Sequence, residues 1–483
     1  MTVKVWTLLI TALLLVTGCS KSEVVTTYEQ GAKQSAYTPI SEAAKEEPIP
    51  VLFDIYTPEY AETRTINNTS DLGNSVSGFG VFAYYSNGSG LTDGAYNSST
   101  SLPNFMFNEQ VTGVADPLKI SGYSWTYDPI KYWPNEIKSD GNGATSDHID
   151  KLSFFAYAPW IAVTSQAAAD ADKIDGAKTE ATNGIIAFSG NNYPGDPQIT
   201  YSQPDNAGDF DLLCSTSDTK DLYKSNIGRE VNFNFTPALA RIGLVVTGQY
   251  DETSYSGNNI NTNKADTYIK VESVTITPYY IEDDEKKYLK KQARLNLRTR
   301  AWEMISTSAN AELGVQQDMI AENLAYSATG YNSATIQYGV GRYYNVAGKT
   351  DNDVIPSDDG TNRDQQLIKD NKYMYFIPAD QDMRFKVKVK YHVYTIDPRM
   401  AGGWSHIVNE VESKDIPYSP AGEQDIQLTK PEGGFIGCSY IFKLVLGMTT
   451  LKASVSEPSY WYSNIDNTKP NDDTNPYRIP DKN

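Results

Sequence analysis

Apolar and polar positions alternate with a period of two along most of the chain. Val51, Phe53 and Ile55 interleave with Leu52, Asp54 and Tyr56 and stop at Thr57-Pro58, which predicts a half-buried strand. Phe79, Val81 and Ala83 then fall on one face of a second strand, with Phe82 and Tyr84 on the other. Similar runs predict strands over 105–111, 152–160, 185–188 and 211–214. Residues 231–246 (VNFNFTPALARIGLVV) predict a fresh strand with a proline-containing interruption. Later strands are expected over 269–277, 293–304, 373–378, 385–396, 426–428, 440–446 and 452–455, with 385–396 (FKVKVKYHVYTI) the cleanest alternation. Few stretches carry a helical period, so the chain reads as all-β.

Between the strands lie polar loops. One follows the first strand and carries Arg64, another covers 86–101, and 167–204 is loop-like apart from 185–188. Residues 306–365 are long, polar and irregular, and such an insertion is unusual inside a compact domain. Large side chains are densest from Trp125, Tyr127, Tyr132 and Trp133 to the segment LSFFAYAPW (152–160), where alternation favours a domain core over a sugar-stacking surface. The expected organisation is an N-terminal β domain over 48–228 and a C-terminal β domain over 229–462, with a boundary near Gly228 and a polar, disordered tail over 463–483.

The beginning of the chain changes the picture. Lys4 precedes an apolar run, Trp6 to Val16, that is too short for the ~20 residues a membrane-spanning helix needs, so 1–18 reads as a signal peptide. The run ends in Val16-Thr17-Gly18-Cys19, which resembles the lipobox of bacterial lipoproteins. That resemblance implies cleavage between Gly18 and Cys19 and lipidation of the Cys19 sulfur. Residues 19–47 are polar, offer nothing to fill a core, and read as a flexible tether.

Composition agrees with sheets joined by turns: of the 483 residues, 34 are Tyr, 34 Gly and 24 Pro. A net charge of -19 repels phosphate backbones, so nucleic acid is not an expected partner. Beyond Cys19 the cysteines are Cys214 and Cys438, each in an apolar segment; two buried thiols are preferred, with a bridge as the alternative. His148, His392 and His406 show no metal-ligand spacing, and no Gly-x-Ser-x-Gly elbow, phosphate loop or Cys-x-x-Cys motif occurs. The acidic loops at 170–175 and 357–364 match no EF-hand spacing. The basic run Lys286, Lys287, Lys290, Lys291 and Arg294 reads as a solvated hairpin tip, or as a docking patch. No enzyme activity, cofactor or metal is expected.

In order along the chain, a lipobox, VLFDIY, Thr63-Arg64, FGVFAYY, YWPN, FFAYAP, VNFNFTPALARIGLVV and YIFKLVLGMTTLKASV resemble the fimbrillin family of Bacteroidales, the Mfa-like pilins of type V pili. The resemblance covers most of residues 50–456. It implies two transthyretin-like β-sandwich domains in tandem, export as an outer-membrane surface lipoprotein, and assembly with other pilin subunits into a fimbrium for adhesion to a host protein or glycan. It also implies cutting by an arginine-specific protease between Arg64 and Thr65, loss of the strand VLFDIY, and its replacement by a strand from a neighbouring subunit. Gly434 to Val455 is the better donor if the C-terminus donates, because the polar tail does not alternate. A tip or accessory position is as open as a shaft position. The competing function is a glycan-binding surface lipoprotein, with some of Trp302, Trp404 and Trp461 exposed.

Overall fold

A computed structural model describes residues 48–57, 69–119, 122–134, 136–164, 170–204, 212–223, 230–248, 267–305, 319–321, 343–344, 355–356, 364–366, 374–396, 404–412, 426–431, 434–446, 451–455 and 459–460. Among them the protein is nearly all β, as its alternation predicts, with one short helix at Thr69–Asn74. A closed barrel is formed by Leu52–Tyr56, Glu230–Pro237, Leu213–Ser215, Lys151–Ala158, Phe79–Ser86, Met106–Ala115 and Tyr123–Thr126, and the last strand returns to the first. Its inward residues, among them Val51, Phe53, Phe79, Val81, Trp125, Phe154, Val231 and Phe233, form one apolar core. The expectation that the 125–160 aromatics build a core is met at Trp125, Tyr127, Trp133, Phe154 and Tyr157, whereas Tyr132 is half exposed.

The outward face of the barrel is also buried. Phe82, Tyr84, Phe155 and Tyr157, on the other side of the same strands, pack with Ile185, Phe188, Ile199, Tyr201 and Leu295 into a second core. Those partners come from a five-stranded sheet that includes Gly184–Phe188, Gln198–Ser202, Gln292–Asn296 and Trp302–Met304. Double-sided burial explains why the segments FGVFAYYS and KLSFFAYA are apolar nearly throughout. Polar clamps fix this sheet in place. Arg294 donates to Asp175 at 2.8 and 3.0 Å, Arg298 and Asn296 donate to Asp196 at 2.7 to 2.8 Å, and Tyr96 donates to Asp196 at 2.8 Å.

The third core joins two six-stranded sheets. One contains Ala240–Gly248, Cys438–Leu446 and Leu451–Val455; the other contains Thr267–Glu282, Met383–Ile396 and Trp404–Glu412. Phe385 of the second meets Phe442 of the first edge-on at 5.2 Å, and Val274, Ile276, Val387 and Leu444 fill the space around them.

Pairing crosses the expected boundary near Gly228. Glu230–Pro237 was expected to open the C-terminal domain; it lies inside the barrel, parallel to Leu52–Tyr56. Ala240–Gly248 is the strand that enters the later sheets. The run 231–246 is thus two strands in two sheets, and the interruption at Pro237 is where the chain changes sheet. Proline has no N–H to continue a ladder, and one continuous apolar run conceals the change. Residues 292–304 fold back onto Gln198–Ser202, so the hairpin crosses in the other direction. The insertion at 306–365 was expected to lack strands, yet Met319–Ala321 pairs with Thr267–Glu282 and Asp364–Gln366 with Ala240–Gly248.

Candidate functional site

The segment Ile49–Thr57 is the part of the chain to which the sequence attached most function, and the barrel is built around it. The first strand, Leu52–Tyr56, runs parallel to Glu230–Asn234 over five paired residues. On its other side it meets Tyr123–Thr126 antiparallel, through the pair Phe53–Trp125. Upstream the chain is stitched to a third segment. Val51 N–H donates to Lys131 O at 2.8 Å, Trp133 N–H to Ile49 O at 2.9 Å, and the Tyr127 hydroxyl to Val51 O at 2.8 Å. The strand is therefore an interior stave of the barrel, with backbone partners on both sides.

Alternation decides which way its side chains point. Val51, Phe53 and Ile55 are buried, Leu52 and Asp54 half-buried, and Tyr56 47% exposed. Phe53 is the centrepiece. Its ring lies 6.2 Å from Phe79, 5.4 Å from Tyr127, 5.9 Å from Phe154 and 5.6 Å from Phe233. Without this strand the socket and two rows of backbone donors and acceptors would face water. An open slot of that kind recruits another strand.

Gly18, Cys19, Arg64 and Thr65 lie outside the described residues. The described chain resumes at the helix Thr69–Asn74, whose Leu72 is buried in the barrel core. Gly73 sits against the Tyr123 ring, and a Cβ there would come within 2.7 Å of it. The chain is thus anchored on both sides of the segment that carries Arg64.

Other candidates resolve differently. Cys214 and Cys438 are separate buried free thiols in different cores, and burial pushes the Cys438 thiol up to about 12. Lys287 pairs with Glu285 at 2.6 Å, Lys286 lies over the Tyr279 ring, and Arg294 is held by Asp175, so the basic run does not act as one patch. Asp175 of the acidic 170–175 loop is engaged by Arg294 and Thr200. Trp302 is half-buried against Tyr201 and donates to Ala238 O at 2.8 Å; the side chains of Trp404 and Trp461 lie outside the described residues. Of the expected donor source, Gly434 to Val455, the strand Cys438–Leu446 is paired with Ala240–Gly248 over eight residues and fills its own core.

The first strand is thus a barrel stave seated in an aromatic socket, and the described chain is packed into the same core again at Leu72. The chain is similar to a fimbrial subunit. It is 24% identical over 419 residues to fimbrium subunit Fim1C of Phocaeicola vulgatus, covering 84% of this chain and 86% of that one. No family model matches. Solved structures that align include a proposed cell adhesion protein of Bacteroides uniformis (11% identity, 86% of this chain and 99% of the other, TM-score 0.35). The tip fimbrial protein Mfa3 of Porphyromonas gingivalis also aligns (8%, 84% and 99%, TM-score 0.25). None of these names denotes an enzyme.

Proposed function

We propose that the protein is an adhesive pilus subunit, exported as a surface lipoprotein of the outer membrane through Cys19 and matured by an arginine-specific protease acting between Arg64 and Thr65. The cut severs Leu52–Tyr56 from the barrel, the strand departs, and a strand of another subunit takes its slot. The observation that carries this reading is the position of Phe53. The residue at the centre of the leaving strand is also at the centre of the first core, so an emptied slot is strongly apolar and polymerisation is coupled to processing. Two tandem transthyretin-like sandwiches belong to the proposal. In support, Leu52–Tyr56 is parallel to Glu230–Pro237 in the first half as Ala240–Gly248 is to Cys438–Leu446 in the second. The edge strand Leu451–Val455 is a better C-terminal donor than Cys438–Leu446, since its pairing partner is Cys438–Leu446 alone among the described strands.

The test is to treat purified precursor with an arginine-specific protease. A single cut at Arg64 followed by SDS-resistant ladders is expected, with Arg64→Ala remaining monomeric. Uncut monomer, or cut protein that keeps its N-terminal fragment and forms no ladder, sinks the proposal.

A further inference from the structure

We infer that the ion pair between Lys119 and Glu230 is a strap across the outward face of the first strand, which must open before that strand can leave or be replaced. The inference rests on the reading of the strand as removable. Its geometry comes from the order of strands. Leu52–Tyr56 lies between Tyr123–Thr126 on one side and Glu230–Pro237 on the other. Lys119 belongs to the turn that joins Met106–Ala115 to Tyr123–Thr126, and Glu230 is the register partner of Leu52 on the opposite side. A bond between them therefore passes over the first strand.

The turn is built to hold that reach. Asp116 N–H donates to Gly122 O at 2.8 Å, Gly122 N–H to Lys119 O at 3.0 Å and Leu118 N–H to the Asp116 carboxylate at 3.0 Å. Lys119 and Glu230 side chains are 32% and 28% exposed, so the pair lies on the barrel's outer surface and not in its core. Leu52 and Asp54 are the half-buried residues of the strand, Leu52 paired in register with Glu230 and Asp54 close enough for its charge to act on Lys119. The hydrogen bond from Lys119 to Glu230 holds the ammonium above its ordinary range; burial opposes it, and the charges of Glu230, Asp54 and Asp116 add to it.

Neither partner is on the strand that leaves. A cut after Arg64 leaves the strap shut, so an incoming strand must thread beneath it or wait for it to open. Solvent-accessible ion pairs of this kind are individually weak, and the strap sets the rate of exchange while the apolar socket sets its endpoint.

Hydrogen exchange on the full, uncut chain tests this without any processing step. Peptides covering residues 49–57 are expected to exchange about two- to five-fold faster in Lys119→Ala and in the milder Glu230→Gln, the range an exposed pair supports. Peptides from 383–396 should be unchanged. The wild type should approach the variants in about 1 M NaCl, where exposed charges are screened, and the swapped pair Lys119→Glu with Glu230→Lys should restore slow exchange. Equal exchange in all variants, or acceleration throughout the barrel rather than at the first strand, overturns the strap. In a second arm, cut Lys119→Ala should form ladders faster than cut wild type, and an unchanged ladder rate also overturns it. If cut wild type forms no ladders at all, the pilus reading fails while the exchange measurement still decides the strap.

Discussion

Phe53 concentrates more of the barrel's packing than any neighbour on its strand, because four aromatic rings converge on it from three other strands and the Tyr127 segment. Truncating such a ring removes transfer energy and leaves a cavity, so Phe53→Ala should cost about 3–5 kcal/mol in urea or thermal unfolding. Tyr56→Ala, on the same strand but half exposed, should cost less than about 1 kcal/mol. Equal losses at the two positions would refute the socket. The thiols give a second check at this scale. Thiolate is the reactive form, and burial holds the Cys438 thiol near 12. Cys438 and Cys214, both buried, should resist alkylation at neutral pH in the folded protein and label fully in denaturant; labelling of the native chain at either would show that its core opens. Sequence alone placed both thiols in apolar segments, and this much was legible because a buried cysteine behaves as a small hydrophobe.

At the scale of elements, legibility followed burial, on one face or on both. The strands at Leu52–Tyr56, Phe79–Ser86 and Met383–Ile396 were visible because alternation or a dense apolar run marks a wall of a core. Tyr123–Thr126 and Gln198–Ser202 escaped notice. The segment YSWT is short, and QITYS sits among Gly, Pro and Asp residues that signal a loop. Trp404–Glu412 was missed for a different reason: in WSHIVNEVE polar and apolar residues mix, and its place follows from pairing with Met383–Ile396. No local signal could place Glu230–Pro237 beside Leu52–Tyr56, far away in sequence, and this is why the expected boundary near Gly228 falls between two strands that pair.

The clamp between Asp175 and Arg294 joins two such distant elements, and it predicts a pH effect. Burial pushes the Asp175 carboxyl up, but hydrogen bonds from Arg294 and Thr200 and the guanidinium charge outweigh it, so the folded-state pKa lies below the ordinary value. A depressed carboxylate stabilises above its unfolded pKa of about 3.9, and that contribution is lost as pH falls through the lower folded value. Asp175→Asn should lower the melting temperature at pH 7 and differ progressively less from wild type below about pH 4. A constant difference across that range would exclude the clamp as the cause.

For the whole molecule, charge and strand exchange pull against each other. The full chain carries a formal charge of -19, most of which lies beyond Arg64 and stays with the cut protein, so two subunits approaching to exchange a strand repel one another before any apolar contact forms. The attraction that finally joins them, burial of an aromatic socket and completion of backbone pairing, acts only at contact. Repulsion between exposed charges decays over a Debye length of about 10 Å at 0.1 M salt. Ladder formation by cut protein should therefore be slow at about 20 mM NaCl and faster at about 0.5 M, where the length shrinks to a few ångströms. The strap at Lys119 and Glu230 would respond to salt in the same direction, so the two effects need separating. In Lys119→Ala the strap is already absent, and whatever acceleration salt still produces belongs to repulsion between subunits. A salt-independent ladder rate in that variant would mean that the faces meeting during exchange are locally neutral despite the overall charge, and that assembly is limited by departure of the first strand rather than by encounter.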